Sequence, residues 1–279
     1  MEHRFTSGIA VLLLASLALT CSFLRPKRPL TWHVTLEIDG TVPDREAATK
    51  QAVKVIETRL DAVGVFNSQV EAQGTPPNGR ILVNLPEVTD RERLKKFLTV
   101  EGRLELMHVV SPPSPSPPQS YGTKQEAVVA LGGNVPSNRR VLPYAERSEP
   151  ATSSRISDEG RERKSWLVVE SAPVVDGTDL RTAAAFAANT GSDDYSISFS
   201  LRPAGAERFG DWTASHINEY LAVVFNGEVK SVAYIKSQIT DRGEISGRYT
   251  KQSAEDVALI LRSGSLPAPL KIIEEGANK

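Results

Sequence analysis

The chain has 279 residues, with 33 Lys and Arg against 34 Asp and Glu, so its net charge of -1 supplies no field to gather nucleic acid or anionic lipid. Cys21 is the one cysteine, which excludes a disulfide framework and thiolate metal sites from the rest of the chain. This length accommodates one large or two ordinary domains.

Gly8 to Leu24 (GIAVLLLASLALTCSFL) is the one uncharged apolar run long enough to enter a bilayer. Residues 1–29 therefore read as a signal sequence or membrane anchor, with three fates open: cleavage, lipidation at Cys21 after Ala18-Leu19-Thr20, or retention as a single anchor. Positive-charge counting, with Arg4 on one flank and Arg25, Lys27 and Arg28 on the other, would by itself put the body in the cytoplasm.

Trp32 to Ile38 alternates apolar with polar, the mark of a half-buried strand. Asp44 then caps a predicted helix in which Ala48, Ala52, Val55, Ile56, Leu60 and Val63 recur at helical spacing until Gly64 stops it. Gln69 to Ala72 and Arg80 to Leu85 form a hairpin across a turn-rich Gly74 to Gly79. Thr89 to Glu92 has capping-box spacing for a helix to about Leu98, and Arg103 to Val110 closes the set with another alternating strand. The order β-α-β-β-α-β predicts an α+β protein with a ferredoxin-like base over residues 30–110.

Ser111 to Pro118 (SPPSPSPP) is too rich in proline for helix or central strand and reads as a stiff connector. Thr123 caps a short helix ending at Gly132-Gly133, and Glu146 to Lys164 is dominated by charges and serines, so residues 111–165 are expected to be connector, short helix and mobile loop. A second α+β domain is expected over 166–265. It opens with a strand at Trp166 to Glu170. Asp176-Gly177-Thr178-Asp179 reads as a turn and cap for a helix toward Phe186; it and Asp193-Asp194 are also the best candidates to hold calcium in a loop. Tyr195 to Leu201 alternates as a strand, and Pro203 opens a helix carrying Ala206, Phe209, Thr213 and Ile217 on one side. Leu221 to Phe225 and Glu228 to Ile235 flank Asn226-Gly227, the dipeptide of a type I′ hairpin. A last helix runs from about Ser253 to Arg262 and ends at Gly264. Leu266 to Leu270 is held extended by Pro267 and Pro269, so residues 266–279 form a return strand and tail. With Ser111 to Pro118 as one crossing between domains and Leu266 to Pro269 as the other, both poor in donors, a hinge is expected.

No catalytic or cofactor chemistry emerges. His3, His33, His108 and His216 lack ligand-spaced partners and read as surface or satisfied histidines. Gly132-Gly133 and Gly74 to Gly79 lack the strand-loop-helix setting of a phosphate loop, and no serine sits in a nucleophile elbow.

Several stretches together resemble one family: Ile56 to Val65 (IETRLDAVGV), Arg80 to Pro86 (RILVNLP), Gly102 to Leu106 (GRLEL), Thr123 to Pro136, Phe199 to Ala206 (FSLRPAGA), Ala222 to Val229 (AVVFNGEV) and Leu261 to Leu270 (LRSGSLPAPL). They resemble the large extracytoplasmic P1 domain of SecD-type protein-export membrane proteins, over about Leu30 to Glu275. The signature positions are Arg59, Asp61, Gly64, Leu85, Pro86, Asn226, Gly227, Arg262, Gly264, Leu266, Pro267 and Pro269. The resemblance implies a ferredoxin-like base carrying a moving head, with Leu270 to Ile273 returning to the base. It also implies an extracytoplasmic body at the cytoplasmic membrane, and translocating unfolded polypeptides and Sec translocon subunits as partners. The chain ends at Lys279 where the family continues into further membrane helices, so the expectation is a one-anchor, non-enzymatic version of this domain. The alternative is a structural envelope lipoprotein that has kept the fold and lost export.

Overall fold

A computed structural model describes residues 29–75, 78–112, 116–146, 163–188 and 194–278. The apolar stretch Gly8 to Leu24 with Cys21, part of the proline-rich stretch, most of the charged loop, and Asp193 lie outside them. No helix among the described residues is long and apolar enough to cross a membrane.

In chain order the elements are β1 (Leu30–Ile38), α1 (Arg45–Ala62), β2 (Gln69–Gln73), β3 (Arg80–Pro86) and α2 (Arg91–Thr99). There follow β4 (Leu104–His108), β5 (Ser120–Tyr121), α3 (Lys124–Ala130), β6 (Arg139–Glu146), β7 (Arg163–Glu170) and β8 (Val175–Asp176). Last come β9 (Leu180–Ala187), β10 (Tyr195–Leu201), α4 (Pro203–Ser215), β11 (Tyr220–Phe225), β12 (Glu228–Tyr234), β13 (Arg242–Tyr249), α5 (Lys251–Ser263) and β14 (Leu270–Ala277).

The base is a four-stranded sheet in the order β14-β1-β3-β2, with every neighbouring pair antiparallel. That is the order and direction of a split β-α-β-β-α-β sheet, with the fourth place filled by β14. Alternation on β1 turns Trp32, Val34, Leu36 and Ile38 inward against Ala52, Ile56 and Leu60 of α1 and Leu94 and Leu98 of α2. Asp44 caps α1 by accepting from the Ala47 N–H at 2.9 Å, and Gly64 ends it at φ 77°. The strand at Arg103 to Val110 does not close this sheet. As β4 it lies between β11 and β8 in the other half of the molecule. Leu104 to Met107 are four consecutive buried residues, so β4 needs cover on both faces, whereas β14 buries few side chains and suits an edge. The cap of α2 also differs: Asp90, not Thr89, accepts from the Arg93 N–H.

The head contains a seven-stranded sheet, β5-β7-β6-β12-β11-β4-β8, and a three-stranded sheet, β13-β10-β9. Leu180 to Ala187, expected as a helix, is β9. Its small side chains let α5 lie close against it, with Ala183 1% exposed, and this packing overrides the helical preference of the alanines. Asp176 and Asp179 instead form a reciprocal capping box around a single 3-10 turn. Ile217 falls beyond the end of α4 and is exposed. Strands β6 and β13 carried no signal strong enough to be expected.

The β11–β12 hairpin turns through Asn226 at φ 51° and Gly227 at φ 77°, positive at both positions as a type I′ turn requires. A Cβ on Gly227 would meet nothing within 4 Å, so backbone strain is the whole penalty there. Gly227→Val is expected to lower stability by about 1–3 kcal/mol. Chemical-denaturation midpoints check this, and an unchanged midpoint would refute it.

Candidate functional site: the junction of base and head

The chain crosses from base to head through Val100 to Gly102 and returns through Gly264 to Pro269. Ser111 to Pro118 is not a crossing, because it follows β4, already within the head sheet. The two crossings meet where the Leu266 N–H donates to the Glu101 carbonyl at 2.8 Å, and the return crossing is tied to the base where the Asp39 N–H donates to the Pro269 carbonyl at 2.8 Å. Of the two connections expected to be poor in hydrogen bonds, the return one, Leu266 to Pro269, is bonded at both ends.

Arg59, on the last turn of α1, organises this junction. Its side chain is fully buried. Nη1 donates to the carbonyls of Phe97 (2.7 Å) and Val100 (2.5 Å), and Nη2 to those of Glu101 and Gly264 (3.1 Å each). One guanidinium thus ties the end of α2, the outgoing crossing and the return crossing to α1. Its planar fork of donors can reach carbonyls in several directions, which a lysine ammonium cannot. Burial pulls its pKa down to about 10, so it still carries its charge at neutral pH.

The surrounding glycines are required by the same geometry. Gly102 has φ 76°, and a Cβ there would lie 2.6 Å from Ile260 Cγ2 and 2.9 Å from Arg59 Nη2. The distant hairpin also reports here: Asn226 Oδ1 accepts from the Arg103 N–H, and the Asn226 N–H donates to the Arg103 carbonyl, both at 2.9 Å. Next to it the buried Glu105 carboxylate is held by Arg103 at 3.0 Å and Arg140 at 2.9 Å. Further out, Arg93 of α2 grips Asp256 of α5 through two hydrogen bonds of 2.6 and 3.3 Å. That hydrogen bond makes Arg93 hold its proton more tightly than usual.

The signature residues thus fall into three groups. Arg59, Gly264, Leu266, Pro267, Pro269 and Asn226 with Gly227 stand on or against the crossings. Arg262 is in the head, where its Nη1 donates to the Ala183 carbonyl at 2.7 Å, pinning α5 to β9. Asp61 and Gly64 shape the end of α1, the Gly64 N–H donating to the Asp61 carbonyl at 3.0 Å, and Leu85 and Pro86 end β3 in the base. Sequence reasoning missed Gly102, Arg93 and Asp256. Gly102 was visible only as part of the GRLEL stretch, and nothing along the chain links positions 93 and 256.

Two of the four histidines meet, which spacing did not show. His108 Nε2 lies 2.6 Å from Glu219 and Nδ1 3.5 Å from Glu170, while Trp212 stacks on His216 at 4.0 Å and meets His108 edge-on. Burial pushes the Glu170 carboxyl up, but Arg139 and His108 outweigh it and hold it below its ordinary range. Among the described residues no group of three or more His, Cys, Asp or Glu is arranged for a metal ion. Asp179 is committed to Arg208 at 2.7 Å.

Comparison with known proteins converges on one family. Residues 152–268 match the SecDF P1 head subdomain, and residues 49–111 match the N-terminal part of the P1 domain of protein translocase subunit SecDF. Protein translocase subunit SecD of Aquifex aeolicus (strain VF5) is 37% identical over 231 residues, covering 83% of this chain and 40% of the relative. SecD of Koribacter versatilis (strain Ellin345) is 36% identical over 231 residues, covering 83% of this chain and 39% of the relative. The chain thus spans about 40% of the length of these relatives. A solved structure of SecDF, described as a membrane component that enhances protein export, superposes with TM-score 0.62 at 27% identity, covering 87% of this chain and 98% of that one. SecDF in its super-membrane-facing form gives TM-score 0.64 at 27% identity, covering 92% of this chain and 32% of that one.

Proposed function

Since the chain belongs to the SecD family through its P1 region, we propose that it serves protein export as a non-enzymatic domain outside the cytoplasmic membrane, binding translocating polypeptide or docking on translocon subunits. The observation that carries this reading is that Arg59, Gly264, Leu266, Pro267 and Pro269, signature positions far apart in the chain, meet at one junction, where Arg59 ties α1 to both crossings. A domain that handles an extended chain needs surfaces in fixed relation more than it needs a catalytic group.

Photo-crosslinking residues placed at exposed Phe66, Phe186 and Ile273 of the full chain test it in membranes carrying an arrested export substrate. Adducts with the arrested polypeptide or with translocon subunits are expected. The reading fails if none of the three positions yields one while the substrate crosslinks to the channel in the same membranes.

A further inference from the structure

A groove of about 580 Å³ runs along the base beside the junction, between the end of α1, the β3–α2 loop and the inward face of α2. That is the size of clefts that bind small molecules or a few side chains. Its floor is Leu94 and Phe97, 5% and 2% exposed, and its walls are Val65, Phe66, Pro86 and Val88. Phe66 stays 44% exposed at the mouth. The rim carries Glu87, Asp90 and Arg93. Arg93 is committed to Asp256 of the head, Glu87 makes a loose 3.5 Å contact with exposed Arg91, and Asp90 caps α2 beside Arg93, so these two carboxylates are the rim groups left to meet an incoming cation. The groove reaches Asn67, two residues before β2, whose outer edge pairs with no strand among the described residues.

We propose that this groove is a binding site for an extended polypeptide segment in which apolar side chains adjoin basic ones. The proposal rests on the export reading above and names the surface that would carry it. Apolar side chains enter the aliphatic floor, where burial supplies the affinity, and basic neighbours meet Glu87 and Asp90 on the rim, which makes binding weaken with salt. A chain leaving the groove extended can continue along β2 by backbone hydrogen bonds. Because Phe97 and Arg93 also face the head, an occupied groove touches the residues that set the head against the base.

The probe is a fluorescein-labelled peptide of alternating Leu and Ala with two Arg at one end, titrated by anisotropy into the full chain. Saturable, salt-sensitive binding is expected. Phe66→Asp, at an exposed position, is expected to weaken it at least tenfold, and Glu87→Lys to weaken it and flatten its salt dependence. Val129→Asp, equally apolar but on α3, is expected to leave it unchanged. Val88→Asp repeats the first test from the opposite wall, and circular dichroism confirms that each variant is folded. If the wild-type chain binds and folded Phe66→Asp and Val88→Asp bind equally well, the groove is not the site, while polypeptide binding survives. If the wild-type chain binds no peptide, the groove proposal falls together with the polypeptide-binding form of the export reading, and docking on translocon subunits remains to the crosslinking test. Self-association or binding to phosphatidylglycerol vesicles, each abolished by Phe66→Asp without peptide binding, would give the groove to a second copy or a lipid surface and overturn the proposal.

Discussion

Arg59→Met is expected to destabilise the full chain by about 3–5 kcal/mol, because it leaves the carbonyls of Phe97, Val100 and Gly264 without this donor and takes one of two donors from the carbonyl of Glu101. Methionine fills much of the same volume, so the loss is of polar satisfaction more than of packing. The guanidinium has no carboxylate neighbour in its bonding shell; its charge is balanced by four peptide dipoles, and the cost of burying it appears in its lowered pKa. Arg59→Lys keeps the charge but reaches fewer acceptors, so its stability is expected between those of Met and Arg. Denaturant unfolding measures the order, and a Met variant within about 1 kcal/mol of wild type would remove Arg59 from the centre of this account. A second readout separates a positioning role from general stability. Spin labels at Ser68 in the base and Ser198 in the head are expected to give one narrow distance distribution in the wild type. A broad one is expected in Arg59→Lys under conditions where it remains folded.

Gly102→Ala is the second large effect, about 2–4 kcal/mol. A non-glycine residue at φ 76° carries strain of its own, and the new Cβ would lie 2.6 Å from buried Ile260 and 2.9 Å from an Arg59 nitrogen that two carbonyls hold in place. Gly40→Ala supplies the comparison, since Gly40 has φ 81° but open space within 4 Å. Its cost is the backbone part alone, about 1 kcal/mol. The difference between the two variants therefore reads the steric closeness of α5 to the crossing. Equal midpoints would mean that α5 does not press on Gly102.

Local signals were legible wherever a residue's role depends on its near neighbours. Asp44 as a cap, Gly64 as a stop, the alternation of Trp32 to Ile38 and the Asn226-Gly227 turn each follow from backbone chemistry within a few residues, and each stands in the fold as expected. Where local preference and packing disagreed, packing won. Leu180 to Ala187 has the composition of a helix, yet it is a strand because small side chains are what α5 needs beneath it.

By itself the sequence determined the class of the protein: an α+β body with strong turn and cap signals, and a set of short stretches whose order identifies a family. Tertiary structure alone decided which strand completes which sheet, because β4 and β14 are both plausible fourth strands until the two-sided burial of β4 is known. It also decided that the crossings are bonded together and not loose, since the carbonyls that Arg59 gathers come from positions as far apart as 97 and 264. No periodicity along a chain records such a meeting, because it depends on the path that brings the end of α5 back beside the end of α1.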